Sequence, residues 1–188
     1  LLRIKLHGSE KYLLVRGSKI DQYQPVGGVY KLVGNKCIIK EWEAEPKSDK
    51  KNQKDLRFFV KAKYLPNIIK WFKSGKDREV GIWREFFEEL VETKIVSKKN
   101  FSTINAEQIK TVDKLLIKEN RFKDETYHTL IYNIYSVELN NKQTKELEKL
   151  MTSNSITKDY AFVTRDEIEK ECFNSSKTRI GQHTKHII

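Results

Sequence analysis

Three glutamates crowd one short segment, Arg84-Glu85-Phe86-Phe87-Glu88-Glu89-Leu90. On a helix, Glu85, Glu88 and Glu89 stand at i, i+3 and i+4 and share one face, while Trp83, Phe86, Phe87 and Leu90 form a stripe suited to a core. Like charges so placed repel by about 0.2–0.5 kcal/mol per pair. A divalent cation among them removes that repulsion. Hard Mg2+ or Mn2+ takes oxygen ligands from one or two carboxylates and completes its shell with phosphate oxygens. Arg84 precedes Glu88 by four residues and is placed to pair with it and hold it still. A solvated acidic helix face accounts for the same pattern without any metal.

The elements that would position this segment are legible in outline. Leu2, Ile4 and Leu6 alternate with polar residues, and Tyr12-Leu13-Leu14-Val15 follows a His7-Gly8-Ser9 turn, so the chain opens in strands. Pro25-Val26-Gly27-Gly28 marks a loop, and Val29–Val33 resumes an extended run. Residues 43–55 are polar and Pro-interrupted and read as a mobile loop, with a strand expected over Leu56–Val60. Pro66 opens a short helix that Ser74-Gly75 ends, with Ile68, Ile69, Trp71 and Phe72 facing inward. The acidic segment falls in a helix expected from about Glu79 to Glu92. Strands are expected over about 110–119 and 126–139, a helix over Lys142–Met151 with Leu147 and Leu150 inward, and a strand over Asp159–Val163. Thr164 and Glu167 have the spacing of a capping box at the start of a further helix. No repeat and no linker interrupts the order, which predicts one α+β domain.

Composition sets the limits. The chain has 188 residues, 38% of them apolar, with 9 Phe, 8 Tyr and 3 Trp, enough to fill a core. No apolar run reaches the roughly 18–20 residues of a membrane span, so neither a transmembrane helix nor a signal peptide is expected within it. A start at Leu1 leaves open an anchor segment upstream. A net charge of +11, from 37 Lys and Arg against 26 Asp and Glu, favours anionic partners. The lysines are scattered, however, and no RNA- or DNA-binding pattern accompanies them, so no specific nucleic acid is expected. Lys50-Lys51 and Lys98-Lys99 read as solvated loop charges that could also meet anionic lipid. Cys37 and Cys172 are far apart and make no metal pattern, which predicts reduced thiols.

The spacing R-E-aromatic-x-E-E resembles the centre of the Nudix box, G-x5-E-x7-R-E-U-x-E-E-x-G-U, and Pro25-Val26-Gly27-Gly28 resembles the P-x-G-G that precedes it. There are departures. Lys76 stands at the first Glu of the box, Lys70 at its first Gly, Val91 at its second Gly and Glu92 at an aliphatic position. An insertion over about 34–70 also separates Gly27-Gly28 from the helix. Four stretches together resemble the SMODS-associated Nudix domain: Gln24–Lys31, Trp71–Lys76, Trp83–Leu90 and His183-Thr184-Lys185.

That resemblance implies an α/β/α sandwich over 1–188 as a single Nudix-like domain, with a mixed sheet and a Glu-rich helix. It implies an effector domain of a bacterial CBASS antiphage system, functionally linked to a CD-NTase and responding to a nucleotide or cyclic-oligonucleotide second messenger. The expected site is cytoplasmic, tethered to the inner membrane only if a segment outside this chain supplies the anchor. By the same resemblance Glu85, Glu88 and Glu89 would hold Mg2+ or Mn2+, Glu88 or Glu89 would serve as base, and Arg84 would orient them. Asp77 and Glu79 lie near enough in sequence to replace the box glutamate missing at Lys76. Tyr23, Gln24, Gly27 and Gly28 would contact the nucleotide, although a loop tyrosine packed on its own domain is the better account of Tyr23. His183 and His186 could contact phosphate, act as acid–base groups, or be structural. Hydrolysis and binding without hydrolysis both stay open. A free-standing metal-dependent pyrophosphohydrolase of nucleoside diphosphates linked to another group is the alternative.

Overall fold

Leu2, Ile4 and Leu6 all turn inward from a broken N-terminal ladder, which commits the first residues of the chain to two different sheets. In the computed structural model, which describes residues 1–18, 20–34, 37–47, 54–118, 127–173 and 178–188, strands β1 (Leu2–Arg3) and β2 (Lys5–Leu6) separate at Ile4. β1 runs parallel to β8 (His128–Glu138), which pairs antiparallel with β7 (Asn105–Ile117). β2 instead pairs antiparallel with β3 (Lys11–Arg16), and β3 is flanked further along by β4 (Tyr23–Gln24) and β9 (Tyr160–Val163). Parallel and antiparallel neighbours together make this a mixed α+β architecture. Lys50-Lys51 and the middle of the 43–55 segment lie outside the described residues.

The chain divides into two compact units. Leu1–Gly27 and Trp83–Ile188 form the first, and Gly28–Ile82 the second. In the first, Leu14, Ala161 and Val163 of the β3–β9 ladder join Ile134 of β8, Ile168 of α5 (Arg165–Lys170) and Ile187 of a C-terminal 3-10 helix (Gln182–Ile187) in one core cluster. Leu13 and Leu14 are both buried because β3 is covered on both faces, as a central strand should be.

Helix ends follow local rules. Thr164 accepts from the Glu167 amide and Glu167 accepts in return from the Thr164 amide, the capping box expected of that spacing. Helix α4 (Asn141–Ser153) starts with a second box, Asn140 with Gln143. Gln143 goes further and donates to the carbonyls of Asn100 and Thr103 at 3.1 and 3.0 Å, fastening α4 to the loop before β7. Asn140→Ala is therefore expected to cost about 1 kcal/mol, read as a lowered urea midpoint. An unchanged midpoint would mean water replaces the cap without loss.

In the second unit, α1 (Cys37–Glu41) is short, and β5 (Glu45–Pro46) pairs with β6 (Phe58–Phe59), so part of the expected polar loop is a strand. Helix α2 (Leu65–Ser74) has Pro66 in its first turn and Gly75 as its left-handed cap at φ 71°. Ile68 and Trp71 are its buried residues, and they join Leu32 and Trp42 in a small core of their own.

The structure revises one boundary that matters. The helix expected from Glu79 starts only at Trp83. Glu79 is extended because its amide donates to the Lys31 carbonyl at 2.7 Å, and Arg78 bridges Leu32 just before it. Backbone groups committed to a neighbouring strand cannot begin a helix.

Candidate active site

Helix α3 (Trp83–Phe86) passes without a break into a π-helical turn (Phe87–Val91), closed by the Glu92 amide on the Phe87 carbonyl at 2.9 Å. The wider turn moves the apolar stripe. Phe86, Leu90 and Val91 are buried, Phe87 is half-buried, and Trp83, expected in the core, is 39% exposed. Trp83 lies at the helix start with its ring 5.8 Å from Phe86 and 5.9 Å from Phe87, covering them from outside. A π turn inserts one residue into the spiral, so Val91 takes the inward place that regular α spacing would leave for other residues.

The polar side of this segment is paired throughout. Arg84 Nη2 lies 2.6 Å from Glu85 Oε1, and Arg84 Nη1 donates to Glu88 Oε2 at 3.1 Å. The Glu88 pair is the one the i, i+4 spacing predicts, and the Glu85 contact adds to it. Glu89 turns elsewhere and accepts the Gly27 amide at 2.8 Å. Gly27 has φ 146°, a region open to glycine, and a Cβ there would come within 3.1 Å of Leu1 Cα. The glycine is thus needed to aim its amide at the acidic helix. Burial, as the largest effect, pushes the Glu89 carboxyl up to about 7, with the nearby charges of Glu85 and Glu88 pushing the same way and the Gly27 hydrogen bond opposing them.

These residues have the donor chemistry for a hard divalent cation: carboxylate oxygens, with surplus negative charge at Glu89 that a cation would relieve. Arg84 sets the positions of Glu85 and Glu88, and the Gly27 amide that of Glu89. Among the described residues, no group of three or more His, Cys, Asp or Glu side chains is arranged to hold a metal ion.

The other sequence-derived residues fall in varied places. Tyr23 is 3% exposed, with its hydroxyl donating to the Thr157 carbonyl and its ring edge-on to Phe173 at 5.3 Å. Arg16 stacks over that ring at 4.8 Å, so Tyr23 belongs to the core cluster and offers no open face for a base. Gln24 is half-buried on β4 opposite Val15. Gly28 opens the second unit. Lys76 is exposed, and of the two acids proposed to replace the missing box glutamate, Glu79 accepts the Lys31 amide at 3.1 Å while the Asp77 carbonyl accepts the amides of Val33 and Gly34. The contact that sequence reasoning missed is Gly27 to Glu89. Sixty-two positions separate them, and only the shared family motif hinted that they meet.

A mixed sheet beside an antiparallel one, capped helices and an R-E-x-x-E-E segment meeting Gly27 are the features of a Nudix-like α+β domain. The chain belongs to the SMODS-associated NUDIX domain family, whose model matches residues 1–188. Membership associates it with CD-NTase systems. Neither a curated protein nor a solved structure matches the chain. Among the described residues, no helix is long and apolar enough to cross a membrane.

Proposed function

We propose that this protein is a Nudix-like effector domain of a bacterial CBASS antiphage system. It responds to a cyclic-oligonucleotide second messenger and acts on a nucleotide diphosphate through the helical segment 83–91. The observation that carries the reading is family membership across the whole chain. The hydrogen bond from Gly27 to Glu89 supports it by joining the two halves of the family motif in one site.

In this reading Glu85, Glu88 and Glu89 would hold Mg2+ or Mn2+, which would supply polarisation of a phosphoryl oxygen. The chain's own groups do the rest. Gly27 fixes Glu89 Oε2 through its amide, which leaves Oε1 as the atom that takes a proton from an attacking water. In the metal-free site burial pushes this carboxyl up to about 7, and a cation beside it would pull it down again and leave it free to accept that proton. Arg84 holds Glu85 and Glu88 in place, and those two contacts would have to open for a cation to take the same oxygens.

The test has two arms. Calorimetry of the intact protein, including any anchor, against cyclic di- and trinucleotides should find at least one ligand; none would overturn the effector reading. Nucleotide release from diphosphate-linked substrates with Mn2+ should fall by about 100-fold or more in Glu88→Gln and Glu89→Gln. Unchanged rates would remove these residues from the site. Hydrolysis without messenger binding would favour the free-standing pyrophosphohydrolase, for which the intact R-E-x-x-E-E core speaks.

A further inference from the structure

Helix α4 carries a row of cations whose natural counter-charge is turned away from them. Lys142, Lys145 and Lys149 are all exposed and stand at i, i+3 and i+7, on one stripe about 10 Å long that faces away from the buried Gln143 and Leu147. Glu146 comes four residues after Lys142 and three before Lys149, the place from which a carboxylate pairs with both. It is diverted instead. It accepts the Ser97 amide at 2.5 Å, the Ser97 hydroxyl at 2.7 Å and the Asn100 side-chain amide at 2.5 Å. On α5, by contrast, Arg165 and Lys170 keep Glu169 and Asp166 as i, i+4 partners. Among the described residues, no carboxylate forms an ion pair with Lys142, Lys145 or Lys149.

The bonds to Glu146 bring further charge to the stripe. Ser97 and Asn100 enclose Lys98 and Lys99, so these two exposed loop lysines are held beside α4. Lys98 Nζ stands over the Phe87 ring, 5.9 Å from its centroid. Between helix and loop lies an open hollow of about 430 Å3, lined by Asn100, Lys142, Lys145, Glu146 and Lys149.

The make-up of this face selects its partner. Its cations are all lysines, hydrated point charges without the planar fork by which arginine grips one phosphate or carboxylate. Protein interfaces are poor in lysine and anchored by aromatic residues and arginine, and single-stranded nucleic acid needs rings on which to stack its bases. No aromatic residue and no arginine lines the hollow. Lysines on a rigid helix gain instead from a broad layer of negative charge that demands no fixed contact.

We propose that α4 and the 97–100 loop dock on the headgroup surface of an anionic lipid bilayer, with Lys98, Lys99, Lys142, Lys145 and Lys149 against it. The domain rests on the bilayer through this face and does not enter it. Docking needs neither the acidic helix nor a nucleotide.

Co-sedimentation of the 188-residue chain with lipid vesicles tests it. The chain should bind vesicles of phosphatidylcholine and phosphatidylglycerol in equal parts and should not bind vesicles of phosphatidylcholine alone. Binding should be lost in about 1 M NaCl, where screening acts within about 3 Å. Lys142→Gln, Lys145→Gln and Lys149→Gln together should weaken it about 100-fold, about fivefold for each lysine. Glutamine and lysine are close in helix propensity, and an unchanged urea midpoint checks the fold. The triple variant Lys40→Gln, Lys54→Gln, Lys158→Gln removes as much charge from exposed lysines on other elements and should bind like the parent. In the unaltered protein, a spin label on the lipid headgroup should broaden the amide resonances of Lys98, Lys99 and residues 142–149 most. No binding to the anionic vesicles, equal binding to phosphatidylcholine, binding that survives the salt, equal losses in the two triple variants, or broadening centred elsewhere would overturn the proposal. Single-stranded RNA or polyglutamate that strips the chain from vesicles at far lower charge concentration would overturn the lipid assignment.

Discussion

Phe86→Ala is expected to cost the protein about 3–5 kcal/mol, the range for truncating a fully buried aromatic side chain. Phe86 has no exposed surface, and its ring meets Trp83 at 5.8 Å and Phe101 at 5.7 Å. It also sits at the junction where the α turn becomes the π turn, between Glu85 and Glu88. Truncation leaves a cavity under that junction, and the acidic side chains lose the surface that aims them. Since whole domains hold only about 5–15 kcal/mol, a loss of this size removes much of the total. Urea unfolding reads it directly. Phe86→Leu, which keeps most of the volume, should cost under about 1.5 kcal/mol. A loss below about 1 kcal/mol for the alanine variant would mean that the segment is held by something other than this ring.

The same segment marks where the sequence is legible and where it is not. The Arg84–Glu88 pair, the Thr164–Glu167 box and the Pro66-to-Gly75 bounds of α2 all depend on residues a turn or less from the element they define. Local spacing is enough for them. The π turn is not local in that sense: Trp83, Phe86, Phe87 and Leu90 fit a regular α stripe, and only packing decides that Val91 goes in and Trp83 stays half out. Glu79 would suit a helix, but Lys31 claims its amide from a distant stretch of chain. Tyr23 sits in a sequence context that reads as a loop, yet Phe173 and Thr157 draw it inside. The acidic trio could be read from one helix face, whereas the partner that sets Glu89 apart from its neighbours lies across the fold at Gly27.

That asymmetry among the three glutamates gives the second large effect, a dependence of stability on pH. Glu89 has its carboxyl raised from an ordinary 4.5 to about 7, by burial first and by Glu85 and Glu88 after it. A folded state that holds its proton longer than the unfolded chain gains stability in acid. The contribution is complete below the unfolded value, and it is lost as pH rises through about 7. Its size is on the order of 3 kcal/mol. Glu89→Gln keeps an oxygen for the Gly27 amide and carries no charge, so the variant should lack this falling limb. In EDTA, urea unfolding from pH 4 to 8 should show parent and variant alike in acid, with the variant more stable above neutrality. Mn2+ should then restore the parent at pH 8, by about 2.7 kcal/mol at a hundred times its dissociation constant. At pH 5, where the proton occupies Glu89, and in the variant at any pH, Mn2+ should do little. Parallel pH curves would mean that Glu89 feels neither burial nor its neighbours. Equal rescue of parent and variant would move the cation away from the acidic helix altogether.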